Sequence, residues 1–232
     1  MRSRYHRPVE QRHRDSAACA RSLIESNAHD RAWFRAALLA VPPAARDAWL
    51  DLVLDLGELP DDGPDLPRGC VPYLPCPVDA LLRMTEQARV GANDVFVDVG
   101  SGVGRAAALV HLLTGAAAVG IEIQSGLAVA ARGLAGRLAE ARVATVHGDA
   151  VRLAGYIAIG SVFFFYCPFG GARLERVLDD LESIARTRVL RVACVDLPLP
   201  PRPWLAPQAP LAGDLAVYRS TAHDPRFVHE RG

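Results

Sequence analysis

Three carboxylates and a run of glycines stand where they could hold a charged nucleoside. Asp98 follows the apolar run Val95-Phe96-Val97 and leads into Val99-Gly100-Ser101-Gly102-Val103-Gly104, a loop with glycine at every second position. Ala106-Ala107-Ala108-Leu109-Val110 then begins a helical stretch. That order sets a side-chain-free turn at the carboxyl end of a strand, where open α/β sheets bind ligands. Glycine adopts positive φ at little cost and lets a ligand approach the backbone. Further on, Val119-Gly120-Ile121-Glu122-Ile123 ends a second strand on an acid, and one carboxylate can accept from both hydroxyls of a ribose. Asp149, in His147-Gly148-Asp149-Ala150, follows a third strand. It can accept from an adenine amino group, or simply cap the next turn. His147 reads as a loop histidine rather than a base.

The spacing discriminates between cofactors. A dinucleotide loop requires G-x-G-x-x-G, and here Arg105 stands where its last glycine belongs. Asp98 would also set an anion against a pyrophosphate. It suits an ammonium group. S-adenosyl-L-methionine has an amino acid tail, a sulfonium, a ribose and an adenine, and no phosphate. The expected cofactor contacts are Asp98, Gly100, Ser101, Gly102, Gly104, Glu122, Asp149 and Ala150.

Phe163-Phe164-Phe165-Tyr166-Cys167-Pro168-Phe169-Gly170 ends a fourth strand. In such a sheet this strand end lies beside the glycine loop and faces the transferable methyl. Tyr166 is therefore the candidate catalytic residue, its phenol orienting a nucleophile, and Tyr166, Pro168 and Phe169 are the candidate acceptor contacts. Phe163 to Phe165 read as sheet core. Methyl transfer from a sulfonium is an in-line displacement with a neutral leaving group, so the enzyme chiefly positions the acceptor and strips its water. No metal is expected, because no His/Cys spacing suits zinc.

Composition narrows the classes further. The chain has 232 residues and a formal net charge of zero. That length accommodates one α/β domain with an extension, and the charge balance makes nucleic acid an unlikely partner. All 26 basic residues are Arg, which rules out a lysine base or Schiff base. Five cysteines with no C-x-x-C pair argue against a disulfide framework. Cys167 and Cys194 read as small hydrophobes. No signal peptide or membrane-length apolar run is evident, so the expected setting is the cytoplasm and no membrane partner is expected.

Residues 1 to about 29 read as a polar, Arg/His-rich tail, loosely ordered or partly helical. Asp30 to Ala40 carries a helical pattern, and Pro42-Pro43 starts a second helix that ends near Gly57. Leu59 to Pro77 is a Pro/Gly-rich connector lying across the domain. A helix opening at Pro77 precedes alternating units: strand Asp94–Val99, helix Val103–Leu113, strand Ala117–Ile123, helix Gly126–Ala141, strands Arg142–Val146 and Ser161–Tyr166, helix Ala172–Ala185, strand Val189–Val195. Leu215 to Arg219 reads as a final strand. The expected fold is α/β: a Rossmann-like, doubly wound, mostly parallel sheet with helices on both faces, plus an N-terminal helical extension. The expected division is residues 1–69 for the tail and extension and 70–232 for the cofactor-binding domain.

The glycine loop, Glu122, Asp149 and the fourth-strand motif resemble the class I S-adenosylmethionine-dependent methyltransferases over about residues 70 to 220. Phe96 through Arg105, and Ser161 through Phe165 with Phe169-Gly170, are similar to the Dot1-like lysine methyltransferases. The resemblance implies cofactor contact at Asp98, Gly100, Gly102, Glu122 and Asp149. That group carries an Asn where this chain has Tyr166-Cys167-Pro168. Val71-Pro72-Tyr73-Leu74-Pro75 is similar to the Y-V-P-T-P segment of small bacterial and mitochondrial lysine methyltransferases, with Cys70 in place of the motif's Tyr. In that family the segment lies over the cofactor, which implies a lid role for Tyr73. The resulting expectation is methyl transfer to a nucleophile, a nitrogen on a protein (lysine) side chain. A small-molecule methyltransferase, an NAD-linked oxidoreductase and a non-catalytic methyltransferase-like binding module stand as alternatives.

Overall fold

The computed structural model describes residues 10–63, 66–138, 142–208 and 213–222. Four helices lead into the sheet: α1 (Gln11–Glu25), α2 (Arg31–Ala40), α3 (Pro43–Val53) and α4 (Val78–Gln87). The N-terminal segment, expected as a loosely ordered or partly helical tail, contains the fifteen-residue helix α1. Its buried Ala17, Ala20 and Ile24 recur at helical spacing, a pattern hidden by the surrounding arginines. Asp30 starts α2 by accepting the Trp33 N–H at 2.8 Å. Proline opens α3 at a position where its missing N–H costs nothing.

The alternating region gives β1 (Val95–Val99), α5 (Arg105–Thr114), β2 (Ala117–Glu122), α6 (Ser125–Arg137), β3 (Val143–His147), α7 (Ala150–Leu153), β4 (Val162–Tyr166), α8 (Gly171–Ala185), β5 (Arg191–Val195), β6 (Leu205–Pro207) and β7 (Leu215–Ser220). The sheet order is β3-β2-β1-β4-β5-β7-β6. The first five strands are parallel, and β7 runs antiparallel to both β5 and β6. This is the doubly wound sheet expected from the sequence. Short β6 and α7 were not anticipated, and His147 ends β3 rather than lying in a loop. α5 starts two residues later than expected because Gly104, at φ 79°, is its left-handed cap. Residues 139–141, expected at the end of α6, lie outside the described residues.

Side chains alternate across each strand, and two apolar layers result. Phe96, Phe164, Ala193 and Val217 face α2 to α5, while Val97, Phe163, Phe165 and Val192 face α8. Phe34, Leu38, Trp49 and Leu50 of the N-terminal helices share one core with Leu81, Phe96 and Leu109. The core therefore runs continuously across residue 69. β1 is flanked by β2 on one side and β4 on the other, so the strand order reverses there and the sheet opens a crevice above that point. Among the described residues no helix is long and apolar enough to cross a membrane.

Candidate active site

The crevice is a cleft over the carboxyl ends of β1, β2 and β4. Gly100, Glu122, Asp149, Ala150, Tyr73, Tyr166, Pro168 and Phe169 line it, together with Cys70, Gln124, Cys167 and Arg173. Asp98, Ser101, Gly102 and Gly104 do not. Ser101 turns its hydroxyl under the loop against Gly120, where the oxygen is buried without a partner among the described residues. Gly104 faces Ala131 of α6.

Glu122 is tied down by the loop it follows. Its Oε2 accepts from the Gly102 N–H and its Oε1 from the Gln124 N–H, both at 2.7 Å. The Ile123 N–H also donates to this carboxylate. Burial pushes its pKa up, against the pull of these backbone donors. Asp98 is buried deeper, at 3% exposure, and burial followed by the charge of Glu122 raises its pKa to about 7. An ammonium beside Asp98 would offset both effects.

Of the two roles its sequence position allowed, Asp149 fills that of a helix cap. Its Oδ1 caps α7 by accepting the Val151 N–H at 3.0 Å and also pairs with Arg173. Oδ2 receives neither bond. The Arg173 guanidinium also lies 5.8 Å over the ring of Phe169, which meets Phe165 edge-on at 6.5 Å.

The connector between α3 and α4 arches over this cleft. At one foot Asp62 Oδ1 accepts from the Tyr73 N–H at 2.9 Å and from Gln124 Nε2 at 2.8 Å, while the Gly63 N–H donates to Gln124 Oε1 at 2.6 Å. At the other foot the Val71 N–H donates to the Pro168 carbonyl at 3.0 Å, and Cys70 bridges Phe169 in antiparallel fashion. One end thus rests beside β2 and the other beside β4. Tyr73 hangs from the arch onto Gly102. Its phenol lies among Arg105, Asp51, Asp98 and Glu122, and burial pushes its pKa up. Pro168 occupies the corresponding place over Gly100, where a Cβ would stand 2.5 Å from Pro168 Cβ. Cys167 bends the chain out of β4 at φ 34°.

Arg105 binds the glycine loop to the N-terminal helices. It is 3% exposed and donates to Asp51 at 2.6 Å, to Asp47 at 2.8 Å and to the Cys76 carbonyl at 2.8 Å. Burial alone would lower its pKa, but Asp51 and Asp47 outweigh that and hold it above the ordinary value. In the sequence Arg105 only argued against a dinucleotide; its two acid partners lie more than fifty residues upstream. Arg173 and Gln124 carried no local signal. Among the described residues no group of three or more His, Cys, Asp or Glu could hold a metal ion.

Comparison with known proteins agrees with this geometry. A family model described as "Histone methylation protein DOT1" matches residues 76–148, the segment from α4 through the end of β3. The crystal structure of an RNA methyltransferase from Salinibacter ruber in complex with S-adenosyl-L-homocysteine superposes with a TM-score of 0.54 at 27% identity, covering 65% of this chain and 95% of that one. A mutant of MtNAS superposes with a TM-score of 0.50 at 14% identity, covering 61% and 58%. No curated protein matches the chain in sequence. Fold and site together define a class I S-adenosylmethionine-dependent methyltransferase. Within that class, the Dot1-like resemblance of the glycine-loop segment is supported by the matching family model.

Proposed function

We propose that this protein transfers a methyl group from S-adenosylmethionine to a nitrogen on a protein side chain, with lysine as the acceptor. The observation that carries this reading is the histone-methylation family match across residues 76–148. The residues present fit the cofactor. Glu122 ends β2 with its carboxylate lining the cleft, Asp149 keeps Oδ2 for the adenine amine, and Asp98 is a buried carboxylate whose raised pKa an ammonium would bring down. When bound, the cofactor supplies a methyl on a positively charged sulfur that leaves as a neutral thioether. The chain's own contribution is positional. Phe169 and Pro168 wall the β4 end with apolar surface, the arch excludes water, and the Tyr166 phenol at the strand terminus orients the acceptor's lone pair. Tyr166-Cys167-Pro168 replaces the Asn of the Dot1-like pattern, so the acceptor amine is held by different groups here.

The Salinibacter neighbour, named for RNA, favours a second reading in which the acceptor is a polynucleotide. A net charge of zero provides little of the phosphate attraction that nucleic-acid binding requires. Incubation with radiolabelled S-adenosylmethionine and a cell extract, separated into protein, RNA and small-molecule fractions, decides between them. Label recovered as methyl-lysine from the protein fraction is the expected result; label confined to another fraction overturns it. In the same assay Tyr166→Phe is expected to lower turnover while leaving S-adenosylhomocysteine affinity at the wild-type value. If neither changes, Tyr166 is only structural.

A further inference from the structure

Arg173 has no part in the reading above, yet it sits where the cleft's components meet. It projects from the first turn of α8 into the cleft wall. It pairs with Asp149 Oδ1, covers the ring of Phe169 at 5.8 Å and passes its Cδ within 3.8 Å of the space beside Gly69, at the β4 foot of the arch. Phe169 is itself bridged to Cys70 of the arch. The Nε–H of Arg173 is buried and finds no acceptor among the described residues. Arginine presents its donors in a rigid fork, so fixing one edge on a carboxylate fixes where the rest point.

We propose that Arg173 is a positioning residue for the cofactor's purine. It locks the Asp149 carboxylate with Oδ2 turned to the base, and it ties that carboxylate to the arch, so that base recognition and closure of the cleft occur together. Two donors, Arg173 and the Val151 N–H, converge on Oδ1. The carboxylate is thereby fixed in rotation, leaving one oxygen for an exocyclic amine. A purine ring nitrogen is an acceptor of the kind the orphaned Nε–H lacks. Lysine could keep the charge but not the fork.

The inference rests on the cofactor reading above, and the test separates the two. Calorimetry compares S-adenosylhomocysteine with its 6-deamino analogue, whose purine lacks the amine that Asp149 would read. The wild-type protein is expected to prefer the adenine form by at least about tenfold, the scale of one charge-assisted hydrogen bond. Arg173→Met and Arg173→Lys are expected to lose most of that preference, and limited proteolysis of the 59–76 connector is expected to show ligand protection in the wild type but not in either variant. Retention of the full preference in a folded variant overturns the role of Arg173. A wild-type protein that binds neither ligand overturns the cofactor reading itself. If Arg173→Met fails to fold, the lysine variant, which preserves the ion pair, supplies the result.

Discussion

The ring of Tyr73 lies against the backbone of Gly102, in the space a side chain at residue 102 would occupy. The bareness of the glycine loop at residue 102 is what lets the arch seat Tyr73 on it. Gly102 also stands at φ 54°, in the left-handed region. Gly102→Ala combines a disfavoured backbone with a collision. It is expected to destabilise the fold by roughly 1–3 kcal/mol and to displace Tyr73. Urea unfolding and the quenching of tyrosine fluorescence by iodide measure the two effects, and an unchanged midpoint would contradict the packing described.

Glu122 bonds the two backbone N–H groups nearest the expected ribose position. Glu122→Ala is expected to weaken S-adenosylhomocysteine binding by roughly 1–3 kcal/mol, the cost of leaving polar groups unmatched. Calorimetric affinity equal to wild type would refute the ribose role.

Asp98 gives a pH signature whose sign follows from its burial. Its folded pKa is raised to about 7, from an ordinary value of 3.8. Its contribution to the stability of the ligand-free protein is therefore fully present below about pH 4 and is lost as pH rises through 7. Asp98→Asn, which cannot ionise, is expected to remove that decline in thermal unfolding scans. An ammonium group beside it reverses the preference, so S-adenosylhomocysteine affinity of the wild type is expected to rise with pH through about 7, with release of a proton. In the Asn variant this dependence is expected to vanish. Affinity that falls with pH in the wild type would exclude Asp98 from binding an ammonium.

Arg105 holds three elements at one buried point, but its acids Asp47 and Asp51 remain half exposed. Arg105→Met frees carboxylates that water can reach, so its cost is that of the lost donors more than of stranded charge. The expected loss is roughly 2–3 kcal/mol in denaturant unfolding, with reduced cofactor affinity because the glycine loop loses its anchor to α3. Wild-type stability would show that the network contributes nothing measurable.

The parts of this site that were legible in the sequence are those made by neighbouring residues. The strand ending at Val99, the alternating glycines, Glu122 closing β2 and Asp149 beyond β3 each announce themselves within ten residues. Hydrophobic alternation and glycine conformation are local properties. The helical α1 was legible in principle from Ala17, Ala20 and Ile24, but arginines mask that stripe. Strand β6, three residues long, leaves too little pattern to read.

Taken alone, the chain determined a mostly parallel α/β sheet, a bare loop at its carboxyl edge and acids at the ends of its first three strands, because a strand, a turn and the residue that ends a strand depend on their immediate neighbours. Tertiary structure decided which side chains share the cleft. Tyr73 covers Gly102, Arg173 grips Asp149 from twenty-four residues away, and Arg105 reaches back to Asp47 and Asp51. Such pairings arise only when helices and sheet pack around a common core, since the distances that set these contacts are distances in space and not along the chain.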